Sequence, residues 1–125
     1  MDKRPKEKSV DWVGSSLDDL KSFPEAVKQT FGFELHQIQH GQMPKSAKPL
    51  KSKELTGVYE LRENNEGNTY RTVYIAKLLD KIYVLHCFQK KSKSGIATPP
   101  KDIGLIKGRL KLAIEDNKNI KGQKK

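Results

Sequence analysis

Apolar positions along the chain follow two periods. From Leu17 to Ile38 they recur every three or four residues, and from about residue 56 to 90 they alternate or run together in short blocks. The first period belongs to helices with one buried face, the second to strands. "SVDWVG", residues 9–14, is a short strand candidate ending at Gly14. Ser16 then reads as a helix N-cap with Asp19 in the capping-box position. Leu17, Leu20 and Phe23 continue that helix until Pro24, whose ring excludes a normal upstream hydrogen bond. Ser22, Pro24 and Glu25 form a fresh helix start. On this second helix Val27, Phe31, Leu35 and Ile38 make one stripe, running to about His40, with Gly41 suited to the C-cap.

"QMPKSAKPLKSKEL" follows as a loop with two prolines and the lysines Lys45, Lys48, Lys51 and Lys53. Three strands are predicted at about 56–63, 69–78 and 82–90. "NNEGN" joins the first two, with Asn and Gly able to take positive φ, and "LDK" joins the second pair. Short turns between strands argue for an antiparallel meander. After the loop "KKSKSGIATPP" a helix opens at Pro100 or Lys101 and runs to about Asp116. The order predicts an α+β domain, residues 10–116, with its helices on one face of a small twisted sheet. Residues 1–9 and 117–125 read as basic, flexible ends.

Charge changes this picture more than composition does. The 125 residues carry 25 Lys and Arg against 15 Asp and Glu, a formal charge of +10. Residues 16–40 hold four acids and two lysines, so that segment is −2 and the remainder carries +12. Segregated lysines and arginines attract a polyanion, most often nucleic acid. No run approaches a membrane span, the N-terminus lacks the apolar core of a signal peptide, and a single cysteine excludes a disulfide framework. A cytoplasmic protein with no membrane partner is expected.

The candidate chemistry gathers in the strands. His86 and Cys87 are neighbours on one strand, so they point to opposite faces and form no dyad. By alternation Cys87 falls with Tyr83 and Leu85 as a core residue, and His86 with Ile82, Val84, Phe88 and Lys90. His86 is either a half-buried structural histidine or a proton-transfer group beside phosphate-holding lysines. Glu60 and Arg62 share a strand face, and Arg71 lies near them across the turn. They are either a cross-strand ion pair or a guanidinium pair for phosphate. His36 and His40 have metal spacing, yet neither a cysteine nor an acid accompanies them in sequence, and zinc needs three or four ligands. They read as solvated helix residues. Neither a phosphate-cradling glycine loop nor a metal-binding carboxylate cluster is visible, so no metal or other cofactor is expected.

The segments "DWVGSSLDDLKSFP", "GFELHQIQHGQMPKSAKPLK", "GVYELRENNEGNTYRTVYIAK" and "IYVLHCFQKKSKSG", with the later "TPPKDIGLIKGRL", resemble the phage-derived HigB-like toxins of the RelE/ParE superfamily. The resemblance runs from about Val10 to Asp116 and rests most on "LHCFQKK" followed by the "TP…DI…R" helix. It implies a RelE-like fold, with an N-terminal strand and helical hairpin packed on a small twisted antiparallel sheet and a C-terminal helix. It also implies the toxin of a type II toxin–antitoxin system, a metal-independent endoribonuclease that cuts mRNA on the ribosome. The implied partners are a helix-turn-helix antitoxin, the ribosome and mRNA. The family's basic strand positions fall on Arg62 and Arg71, and its last strand motif on His86, Phe88, Lys90 and Lys91. Tyr59 or Phe88 would stack a base, and Lys48, Lys51, Lys53 and Lys93 would hold the substrate backbone. The link before the Thr-Pro pair is longer than usual, and Gly104 and Gly108 interrupt the last helix. A noncatalytic RNA- or ribosome-binding protein and a gyrase-inhibiting ParE-type toxin are the alternative functions.

Overall fold

A computed structural model describes residues 7–76, 81–90 and 98–123. The elements are β1 (Ser9–Trp12), α1 (Ser16–Lys21), α2 (Glu25–Gln39), β2 (Lys48–Pro49), a 3-10 turn (Lys53–Leu55), β3 (Val58–Asn65), β4 (Asn68–Ile75), β5 (Lys81–Lys90) and α3 (Pro100–Gln123). One sheet takes all five strands in the order β1-β5-β4-β3-β2. The meander β3-β4-β5 is antiparallel as predicted, but β1 joins β5 in parallel, which makes the sheet mixed.

The helical hairpin follows the sequence closely. Val27, Phe31, Leu35 and Ile38 are buried on α2, and with Leu20 and Phe23 they cover Leu61, Tyr70, Tyr74, Ile82, Val84 and Cys87 of the sheet. The end of α2 is a Schellman turn: Gly41 at φ 81 lets its own N–H reach the Ile38 carbonyl and the Gln42 N–H reach that of Gln37. At α1 the cap moves by one residue. Ser15 takes it, its hydroxyl donating to the Asp19 carboxylate, while Ser16 is buried and donates to the Val84 carbonyl. In the β3–β4 hairpin the two positive-φ residues are Glu66 and Gly67, flanked by the Asn65–Asn68 pair. The strands' right-handed twist selects that two-residue geometry, and it falls on Glu66 rather than an asparagine.

The expectation of helices on one face is overturned. α3 lies on the opposite face, where Ile106 and Ala113 pack with Leu50, Leu55, Val58, Val73, Ile75, Tyr83 and Leu85. The central strands are apolar on both sides, so both faces must be covered. α3 also passes the predicted end at Asp116 and runs to Gln123. No proline interrupts that stretch, and Ala113 and Asn117 continue its buried side. Gly104 and Gly108 stay helical, and a Cβ at either would meet nothing within 4 Å. Among the described residues no helix is long and apolar enough to cross a membrane. The "LDK" turn falls partly outside the described residues.

Candidate functional site

β3 and β4 pair with Arg62 directly opposite Arg71, and β4 and β5 pair Arg71 with Phe88 and Thr69 with Lys90. Strand alternation therefore carries Glu60, Arg62, Arg71, Phe88 and Lys90 to the α3 side of the sheet. Two guanidinium groups on facing positions would repel. Glu60 resolves this, since its Oε2 accepts from Arg62 Nε and Nη2, both at 2.8 Å, and its Oε1 from Arg71 Nη1 at 3.3 Å. Glu60 is 3% and Arg71 2% exposed. The ion pair read in the sequence is thus present, with both guanidinium groups on one carboxylate. One carboxylate against two guanidinium groups leaves the cluster positive.

Arg71 Nη1 also donates to Thr98 Oγ1 at 3.3 Å, whereas its buried Nε has no partner among the described residues. Burial lowers the Arg71 pKa from its ordinary value, with Glu60 opposing and Arg62 adding to the shift. Lys90 is shifted the same way, by desolvation first and then by the charges of Arg71 and Arg62, against Glu60. Beside this cluster a cleft of about 360 Å³ is lined by Lys48, Lys51, Glu60, Arg62, Thr98 and Ile103 among others. The short β2 builds its wall, pairing Lys48 with Glu60. Lys53 is exposed on the 3-10 turn and does not line it. Lys91 and Lys93 lie outside the described residues.

His86 sits at a β-bulge. Val73 pairs with His86 but Tyr74 pairs with Val84, so Leu85 is the extra residue. The bulge corrects the predicted faces: Cys87 joins Ile82 and Val84 under the helical hairpin, and His86 turns with Leu85 toward α3. Two residues from α3 hold the ring. Nε2 lies 2.8 Å from Asp102 Oδ1, and Nδ1 lies 3.5 Å from Arg109 Nη1. A guanidinium only donates, which assigns the acceptor role to Nδ1 and the hydrogen to Nε2. Phe88 stacks on the ring with centroids 4.7 Å apart. His86 is 7% exposed, with both nitrogens engaged.

Arg109 does more than face His86. Its Nη1 donates to the Leu85 carbonyl at 2.9 Å and its Nη2 to Ser15 Oγ at 3.0 Å. It packs so closely on Gly14 that a Cβ there would fall 2.7 Å from Nε. Asp102 and Arg109 were both within the "DI…R" motif, seven residues apart on one helix face, but nothing in that spacing told what they would grip.

One predicted residue stands apart. Tyr59 faces the helical hairpin beside Tyr74, centroids 6.1 Å apart, so it cannot stack a base over Arg62. Cys87 is buried, and burial pushes its thiol up to about 12, which leaves it inert as a nucleophile.

The family model described as phage derived protein Gp49-like (DUF891) matches residues 18–111. Among solved structures, the chain is similar to the RelBE2 toxin–antitoxin complex of Mycobacterium tuberculosis, at 17% identity over 67% of this chain and 99% of that one, with a TM-score of 0.49. It is also similar to a double-arginine mutant of Escherichia coli toxin RelE in the free state, at 13% identity over 65% of this chain and 81% of that one, with a TM-score of 0.50. No protein of curated function matches the chain. At such identities the structural likeness speaks for fold, whereas the family match spans both strand arginines, Lys90, the bulge at His86 and the helix residues that hold it. The chain belongs to the phage-derived Gp49-like family, and its fold is that of the RelE-like toxins.

Proposed function

We propose that this protein is the toxin of a type II toxin–antitoxin pair and that it cleaves mRNA on the ribosome. The observation that carries the reading is the face shared by Arg62, Arg71 and Lys90, beside a cleft walled by Lys48 and Lys51. In the reaction the RNA 2′-OH gives up its proton to solvent water and attacks its adjacent phosphate, a 2′,3′-cyclic phosphate forms, and the bond to the 5′ oxygen breaks. Negative charge grows on the phosphate and must be met by fixed cations. Arg62, at the cleft, is placed to meet it. Arg71 lies beneath, buried, and adds its positive charge to that face. The leaving oxygen needs a proton. Lys90 is suited to supply it, because desolvation and then the neighbouring cations make its ammonium easier to deprotonate.

His86 receives a different role from the one its position in sequence suggested. With both ring nitrogens bound by α3, it positions the helix and Phe88 rather than moving protons. Phe88 keeps its candidacy as the base-stacking residue. A helix-turn-helix antitoxin and the ribosome are the partners this reading requires, in the cytoplasm.

The test is brief induction in a bacterial host with mRNA 5′ ends mapped within minutes, beside an Arg62→Ala control. New ends inside translated frames, reduced about 100-fold or more in the control, are expected for loss of one transition-state cation. Growth arrest with intact mRNA would point instead to a gyrase-type target, and absence of arrest to a noncatalytic binding protein.

A further inference from the structure

α2 carries His36 and His40 on its exposed side, one turn apart near its C-terminal end. In sequence they lack a third ligand. The fold supplies one from the chain's start. The Lys8 N–H donates to the Gln39 carbonyl at 3.1 Å, and Gln39 Nε2 donates back to the Lys8 carbonyl at 2.8 Å. This reciprocal pair stitches the segment before β1 to the end of α2. The Lys8 ammonium is turned away to the Ala76 carbonyl at 3.1 Å. Glu7, next in the chain, is thereby delivered to the histidines, its Oε2 3.3 Å from His40 Nε2.

The features of this cluster are those of a metal site. One ligand atom from each of Glu7, His36 and His40 lies within 4.8 Å of the other two. Bonds of about 2.0–2.1 Å around a tetrahedral zinc ion place neighbouring ligand atoms roughly 3.4 Å apart, close to the 3.3 Å already separating Glu7 from His40. His40 Nδ1 lies 2.9 Å from the His36 carbonyl oxygen, which only accepts. That anchor puts the hydrogen on Nδ1 and leaves Nε2 to ligate, the outer-shell arrangement of metal-bound histidines. The adjoining helix C-terminus carries partial negative charge, which favours a cation.

We propose that Glu7, His36 and His40 bind a divalent transition metal of the zinc class, with the fourth position open. The site lies on the hairpin side of the sheet, opposite Arg62 and Arg71, and stands whether or not the chain cleaves RNA. Its effect would be to clamp the N-terminal segment to α2.

The test uses the full chain without a histidine tag. Zinc is titrated calorimetrically, and cobalt is followed by its visible absorption as a reporter of coordination. One ion per chain is expected, with zinc raising the melting temperature. His36→Ala, His40→Ala and Glu7→Gln should each weaken binding at least about 10-fold, by loss of a direct ligand where even outer-shell changes cost 10–100-fold. All three side chains are exposed, so metal-free melting should be unchanged and a folding defect would be visible there. Absence of saturable one-to-one binding would overturn the proposal. So would undiminished binding by the His36→Ala/His40→Ala double variant, or by Glu7→Gln.

Discussion

Lys90 carries its charge partly desolvated and beside two guanidinium groups, and the downward shift that follows has opposite consequences for folding and for activity. Holding the ammonium charged there costs the folded state a little, so Lys90→Gln should melt at or slightly above the parent. The gain is at most a few tenths of a kcal/mol, because the side chain is only half-buried and solvent screens it. The same variant should lose most cleavage. As a general acid Lys90 must be protonated, so the cleavage rate should fall as pH rises, with its midpoint below the ordinary lysine range. Lys90→Arg, which keeps the charge but cannot give up the proton, should retain RNA binding and lose that alkaline limb. A Lys90→Arg protein with an unchanged rate and pH profile would remove Lys90 as the acid. At this scale the alternation of the strands was readable: it placed Arg62 near Arg71 and separated His86 from Cys87. It failed beyond Leu85, because the bulge has no glycine or proline to announce it and shifts every later side chain by one face.

At the scale of elements, one residue of α3 that sequence reasoning left without a role ties the helix to two other elements. Arg109 joins the Leu85 carbonyl, His86 and Ser15, and its passage requires Gly14 to lack a side chain. Arg109→Ala should cost about 1–3 kcal/mol, the usual effect of orphaning buried acceptors. Gly14→Ala should cost a similar amount, because its φ of 59 and the 2.7 Å approach both penalise a Cβ. Since both changes act on one contact, the double variant should cost less than the sum, and strict additivity in denaturant melts would contradict the coupling. α2 carries its own switch-like cost. Glu34 is buried beneath the hairpin, bonded to Ser46 on one oxygen and without a partner among the described residues on the other, and burial raises its pKa. A carboxyl raised on folding binds its proton more tightly in the native state, so its contribution to stability is fullest in acid and is lost as pH rises through the raised value. Glu34→Gln should flatten that fall and leave the protein more stable at neutral pH; parallel pH–stability curves for the two proteins would refute it. The helices themselves were legible from their stripe, proline and glycine. The side of the sheet α3 would take was not, because strands apolar on both faces accept a cover on either.

Across the whole molecule, the segregation of charge visible in the sequence has a structural counterpart. The hairpin segment is the acidic part, and it covers one face of the sheet. Arg62, Arg71 and Lys90 belong to the other face, and Lys48 and Lys51 line the cleft beside them. Sequence could total the excess of cations but could not tell which lysines share a wall, since that depends on a two-residue strand, β2, too short to leave a pattern. The arrangement makes a quantitative demand on binding. Each phosphate neutralised on single-stranded RNA contributes about −0.7 to the slope of log affinity against log salt. If Arg62, Lys90, Lys48 and Lys51 each meet one phosphate, the cleft accounts for a slope of roughly −3. Lys48→Ala/Lys51→Ala should therefore make the slope shallower by about 1.4 and weaken binding evenly across sequences. Lys53→Ala, outside the cleft, should leave the slope nearly unchanged and serves as the control for net charge alone. Equal changes from the pair, counted per lysine, and from Lys53 would mean that RNA senses only the overall positive charge, and that the cleft does not hold the strand.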